Sequence, residues 1–167
     1  KGSIKGVDTN KFYKFDLTTV KNLKKKLNIP HDKKIILYMG RMDPNKGILD
    51  LLKVFKDLKY KFSNILLLLV GKDEMNINKF IDGNDIVYLP HSNNPEQIYN
   101  VSDIFCIPSK REGFGNVIIE SSACELPVVG SDIFGLRSSL VNNLNGITYK
   151  IGDCNDLSDK IETLILD

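Results

Sequence analysis

Apolar residues along the chain fall into two alternating rhythms. Six short runs, at 34–40, 65–71, 86–89, 104–107, 127–130 and 146–149, are almost continuously aliphatic or β-branched. Runs of that length without polar alternation predict parallel strands covered on both faces. Between them the spacing lengthens. Ile48, Leu51, Leu52 and Phe55 stand at i, i+3, i+4 and i+7, and Val117, Ile118, Glu120 and Ser121 begin a second helix. Leu157, Ile161, Leu164 and Ile165 form a closing amphipathic helix. Asn93-Asn94-Pro95-Glu96 is a helix-start signal, with proline early and an acid beside it. A Lys-rich helix over 21–26 is expected to end at Asn28-Ile29-Pro30. Strand and helix signals in strict alternation predict an α/β, Rossmann-like doubly wound parallel sheet, with ligands at the C-terminal ends of its strands.

Composition narrows the class without naming a chemistry. At 167 residues and 42% hydrophobic, the chain is long enough for one domain with its own core. A net charge of +2 is too near neutral to imply nucleic acid as a partner. Cys106, Cys124 and Cys154 are odd in number and scattered, which argues against a disulfide framework or zinc site and for a reducing, cytoplasmic setting. The longest apolar run, 65–71, is far short of the ~20 residues of a membrane helix. The start Lys-Gly-Ser carries no signal-peptide pattern and is expected to be a fragment boundary. Only Arg41, Arg111 and Arg137 are arginines, so each asks for a reason.

Two loops could carry chemistry, and each directly follows a strand. In Gly40-Arg41-Met42-Asp43-Pro44-Asn45-Lys46-Gly47, an arginine and a lysine five residues apart can converge on one anion near a helix start. Two cations are what a diphosphate leaving group needs as its charge develops. The order is neither a Walker loop nor GxGxxG, and an ordinary turn with solvent-facing charges stays open. The second loop runs Ser109-Lys110-Arg111-Glu112-Gly113-Phe114-Gly115-Asn116-Val117 and continues to Glu120. Gly113 and Gly115 leave room for a ligand at the backbone, and the free N–H groups of the ensuing helix suit phosphate oxygens. Glu112 and Glu120 can accept hydrogen bonds from hydroxyls at two parts of one extended ligand, such as a sugar and a ribose. A pairing of Glu112 with Lys110 or Arg111 is the alternative.

Taken together, these elements resemble the C-terminal half of a glycosyltransferase family 4 enzyme. The resemblance rests on Gly6-Val7-Asp8 with Asn10 and Phe12, Gly40-Arg41 with Lys46-Gly47, the E-x7-E pair Glu112 and Glu120, and Ala123-Cys124 through Pro127-Val-Val. It implies the C-terminal half of a GT-B fold, with residues 1–167 as the nucleotide-sugar (donor) binding domain. Residues 1–15 would be the segment just after the interdomain linker, and the N-terminal acceptor domain would be absent from this chain. Arg41 and Lys46 would grip the donor diphosphate and Glu112 the sugar hydroxyls, the three forming the catalytic set. Gly40, Gly113, Phe114, Gly115, Asn116 and Val117 would contact the donor, Glu120 the ribose, and the loop of Tyr88 and His91 the base. The resemblance further implies retention of anomeric configuration, no required metal or other cofactor, and a nucleotide-sugar donor, UDP-sugar the best guess. The acceptor would be a saccharide or lipid-linked molecule in surface polysaccharide synthesis. The enzyme would be cytoplasmic, with peripheral association of the full-length protein at the inner membrane face, and the isolated domain nearly inactive.

The sequence departs from the family pattern at three places. Glu125 stands where glycine is common, 131–139 holds one glycine rather than a pair, and Lys72 replaces a small or acidic residue. His91 has no partner carboxylate in sequence, and Tyr88 also fits a half-buried strand position. Cys106 and Cys124 fit the core. Two other classes remain: a flavodoxin- or receiver-like binding module built on Asp73, Asp103 and Asp132, and a sugar-nucleotide epimerase.

Overall fold

The computed structural model describes residues 6–81 and 83–167. Lys1–Lys5, at the front of the expected post-linker segment 1–15, lie outside the described residues. The strands are β1 (Lys34–Met39), β2 (Ile65–Val70), β3 (Ile86–Leu89), β4 (Ile104–Ile107), β5 (Val128–Ser131) and β6 (Gly146–Tyr149). They pair in parallel as one sheet of order β3-β2-β1-β4-β5-β6. This is the Rossmann order, which reverses direction between β1 and β4.

Five helices cover the two faces: α1 (Leu17–Lys26), α2 (Ile48–Lys61), α3 (Pro95–Val101), α4 (Asn116–Ala123) and α5 (Cys154–Leu166). Alternate residues of each strand point to opposite faces. Ile36 and Tyr38 of β1 therefore join the core under α2 and α5, while Ile35 and Leu37 join the core under α3 and α4. The predicted stripe on α2 is the buried one, Ile48, Leu51, Leu52 and Phe55, extended by Val54 and Leu58. Each such side chain contributes about 1.5–3 kcal/mol by leaving water.

Element boundaries shift slightly from the sequence expectation. The run 127–130 becomes Val128–Ser131, because Pro127 has no N–H for the ladder and serves it only as an acceptor, from Phe105 N–H at 2.9 Å. The loop 40–47 leads directly into α2 at Ile48, as expected, and holds a 3-10 turn of its own, Pro44–Lys46. Asp43 closes that turn by accepting from Asn45 N–H at 2.8 Å. α1 stops at Lys26, and Asn28 takes a left-handed conformation (φ 55°) that turns the chain before buried Ile29. Cys106 and Cys124 are both buried in the core, as expected.

Candidate functional site

The loops after β1 and β4 rise side by side at the strand-order reversal, because those strands are neighbours in the sheet. A backbone hydrogen bond from Lys110 N–H to Asn45 carbonyl, 2.7 Å, ties the two loops together. Between them lies a cleft of about 380 Å³. Gly40, Arg41, Lys46, Glu112, Phe114, Gly115, Asn116 and Val117 line it, with Tyr38, Met39, Ile107 and Ser109 at its floor and walls. Most of the residues proposed from sequence are thus gathered in one place.

Charge in the cleft is paired in an unexpected way. Lys46 Nζ donates to Glu112 Oε1 at 2.6 Å, and Ser109 Oγ donates to the same oxygen at 2.8 Å. Glu112 therefore pairs with neither Lys110 nor Arg111, but with the cation of the opposite loop. Both side chains are about one-fifth exposed, so the pair is only partly screened by water. Arg41 is more exposed and approaches Asp43 at 3.4 Å and Glu74 at 3.9 Å. Its backbone is held from below, where Tyr38 hydroxyl donates to the Arg41 carbonyl at 2.7 Å.

The start of α4 supplies backbone donors on the cleft's other side. No side chain caps this helix, and its first turn holds no acidic residue. An arriving anion would meet open N–H groups without displacing a resident carboxylate. Gly115 precedes the helix at φ 72°, a backbone that disfavours any side chain. Gly113 is different, since a Cβ there would meet nothing within 4 Å. The loop after β5 buttresses this corner. A Cβ on Gly135 would fall 2.0 Å from the Glu112 carbonyl oxygen, and Ser139 Oγ donates to the Phe114 carbonyl at 2.5 Å.

Glu120 lies one helical turn beyond Asn116, on the same face of α4. It is half-buried, and its Oε2 accepts from Tyr99 hydroxyl at 3.0 Å. Burial pushes its carboxyl above the usual range, opposed by the Tyr99 hydrogen bond and the charge of Lys11. Of the residues expected at the donor, Gly113, Glu120, Tyr88 and His91 are not among those lining the cleft. Tyr88 is half-buried on β3 with its hydroxyl on the Gly71 carbonyl, 3.2 Å, and exposed His91 bonds Asn93 at 2.9 Å. Arg137 pairs with Asp132 at 3.1 Å, and Arg111 is exposed.

Asp73, Asp103 and Asp132 do not form the acidic cluster a receiver needs. Asp103 precedes β4 and accepts from Ile35 N–H at 2.7 Å, at the sheet edge opposite Asp73 and Asp132. Among the described residues no group of three or more His, Cys, Asp or Glu is placed to hold a metal ion. Nor is any helix among them long and apolar enough to cross a membrane.

Sequence reasoning missed Ser109, Tyr38 and Tyr99. Ser109 opens the quoted motif, but a serine before a turn carries no signal of what its hydroxyl meets. Tyr38 and Tyr99 sit in apolar stretches where a core role was the natural reading, and both are core residues that also reach a site loop or side chain.

Comparison with known proteins follows the same lines. Residues 19–167 match the family described as glycosyl transferases group 1. The chain is 34% identical to a capsular polysaccharide biosynthesis glycosyltransferase (CapM) of Staphylococcus aureus, over 99% of this chain and 45% of that one. It is 32% identical to a lipopolysaccharide 1,2-N-acetylglucosaminetransferase of Salmonella typhimurium, over 75% and 37% respectively. The chain spans less than half the length of these relatives. Among solved structures, sucrose-phosphate synthase from Thermosynechococcus elongatus superposes with a TM-score of 0.81 at 26% identity, covering 97% of this chain and 42% of that one. Anabaena HepE in complex with UDP and glucose shares the fold with a TM-score of 0.84 at 23% identity, covering 97% and 46%.

Proposed function

The chain belongs to the glycosyl transferases group 1 family, and from that premise we propose that it is the donor-binding part of a retaining glycosyltransferase. The donor is a nucleoside-diphosphate sugar, with UDP-sugar favoured, and the acceptor is a saccharide or lipid-linked molecule engaged by a second domain outside this chain. Surface polysaccharide synthesis in the cytoplasm, near the membrane's inner face, is the setting. One observation carries the reading. Lys46, the Glu112 carboxylate and the uncapped start of α4 share one cleft at the β1/β4 reversal. That set provides a cation and backbone donors for a diphosphate, beside an acceptor for sugar hydroxyls.

In the reaction the acceptor's hydroxyl oxygen bonds to the sugar's C1 as the bond from C1 to the diphosphate oxygen breaks, the hydroxyl proton leaves with the nucleoside diphosphate, and negative charge builds on that departing group in between. Lys46 and Arg41 sit where they oppose that charge, and the α4 N–H groups add fixed dipoles in a partly water-excluded site. Glu112 orients the sugar, and Glu120 holds the ribose. Two cations and a helix start supply the charge stabilisation a metal supplies elsewhere, so the proposed reaction requires no metal. The capsular and lipopolysaccharide relatives support the setting, and the UDP and UDP-glucose complexes of Anabaena HepE support the choice of base.

Titration calorimetry with UDP, GDP and ADP tests the reading. UDP is expected to bind best. A folded chain that binds none of the three would overturn it, and conversion of a UDP-sugar to its C2 epimer would point to an epimerase instead.

A further inference from the structure

Tyr99 is fully buried on α3, a helix the proposed chemistry does not use, yet its hydroxyl reaches Glu120 on α4. It donates to Glu120 Oε2 at 3.0 Å, and among the described residues no donor reaches Oε1. The ring cannot swing away. It packs edge-on against Phe105 of β4 at 5.7 Å and tilted against Phe12 at 6.2 Å. Phe12 belongs to the segment preceding α1, which is laced to α3 through Asn100. The Asn100 side chain accepts from Phe15 N–H at 2.7 Å and donates to the Tyr13 carbonyl at 2.9 Å.

We propose that Tyr99 is the positioning residue for the nucleoside: it fixes Glu120 through Oε2 so that Oε1 is presented to the ribose hydroxyls. This rests on the reading of Glu120 as the ribose-binding carboxylate. A carboxylate on one turn of helix can adopt several rotamers, and a ligand that must select one loses affinity in proportion. A rigid phenol donating to one oxygen removes that choice in advance. Burial also pushes the Tyr99 phenol far up, so it stays a donor throughout the working pH range.

The groups around Glu120 come from three elements. Tyr99 faces it from α3, Cys124 from the end of α4 and Lys11 from the segment before α1, while Glu96 of α3 acts on the same Cys124. Glu96 is itself buried, and Lys11 Nζ lies 3.7 Å from its Oε2. Tyr99 and Lys11 both favour ionised Glu120, so removing either raises the pH at which Glu120 protonates and stops accepting from ribose.

The experiment measures UDP and 2′,3′-dideoxy-UDP affinity against pH for the unaltered chain, Tyr99→Phe, Lys11→Met, Glu120→Gln and the Tyr99→Phe/Glu120→Gln double variant. Tyr99→Phe keeps the ring and its packing. It is expected to weaken UDP about three- to tenfold, to shift the acid limb of binding to higher pH, and to leave dideoxy-UDP unaffected. The double variant should bind no worse than Glu120→Gln alone. Lys11→Met, at an exposed position, should shift the acid limb in the same direction without touching the hydrogen bond. If Glu120→Gln binds UDP like the unaltered chain, the ribose reading falls and this proposal with it. If Glu120→Gln weakens UDP but Tyr99→Phe matches the unaltered chain in affinity and acid limb, the positioning role alone is overturned. Equal loss of UDP and dideoxy-UDP in Tyr99→Phe would also overturn it, since that marks a merely structural effect.

Discussion

At the scale of single residues, the site's main feature is that its proposed ligand groups are engaged with each other. Lys46 and Glu112 neutralise one another at 2.6 Å, so a diphosphate must take Lys46 from Glu112 before the carboxylate can turn to a sugar. Glu112→Gln leaves Lys46 without its counter-charge. Bare UDP is therefore expected to bind that variant at least as well as the unaltered chain. The extra affinity of UDP-sugar over UDP should drop about tenfold, the worth of a charge-assisted hydrogen bond. Calorimetric titration of both ligands checks this, and equal weakening of the two would refute it. Glu120 makes a second, opposite prediction about stability. Its folded carboxyl titrates above the unfolded value, because burial raises it more than Tyr99 and Lys11 lower it. The folded chain thus holds this proton more tightly than the unfolded one. Its stabilising contribution is complete below the unfolded value and is lost as pH rises through the folded one. At neutral pH the ionised group costs stability. Glu120→Gln should then resist urea better than the unaltered chain at pH 7, with the gap closing as pH falls toward ~4.3, the unperturbed glutamate value. A gap that is unchanged between the two pH values would contradict the assignment.

At the scale of elements, the loops after β1, β4 and β5 behave as one unit. Lys110 to Asn45 joins the first two, and Gly135 pressed on the Glu112 carbonyl, with Ser139 on Phe114, joins the last two. Strand order places these loops together, and their backbones then interlock. The one departure from the family pattern that the fold explains lies after α4. Glu125, standing where glycine is common, adopts φ 57°, the left-handed conformation that ends a helix and disfavours a β-carbon. The helix is closed there by Leu126 N–H on the Ser121 carbonyl at 3.0 Å, which fixes the conformation whatever residue occupies the site. Glu125→Gly is expected to stabilise the chain by about 1 kcal/mol, the strain relieved less glycine's added unfolded entropy. Urea midpoints read it, and UDP affinity should not move, because Glu125 lies at the opposite end of β5 from the cleft.

For the whole molecule, the cleft is built from one side: the residues lining it come from the C-terminal ends of β1 and β4, the loops after them and the start of α4, all at one end of one sheet. The chain alone is therefore expected to bind UDP-sugar and release sugar from it no faster than buffer does, as measured by UDP formation. Rapid transfer to a saccharide by this chain alone would refute the two-domain reading. What the sequence determined by itself was the local part. Six strands, five helices and the two site loops were legible because hydrophobic periodicity and glycine placement are short-range signals, read within a window of one element, whereas Glu112 and Glu120 stood out as an E-x7-E pair through the family resemblance. Tertiary structure decided which side chains meet. That Glu112 takes Lys46 from 66 residues away and that Tyr99 of α3 reaches Glu120 of α4 follow from strand order and helix packing. Tyr88 and His91 lie off the cleft because β3 is at the sheet's edge, two strands from the reversal. Such partnerships depend on which strands become neighbours, and a local pattern of apolar and polar residues carries no record of its neighbour.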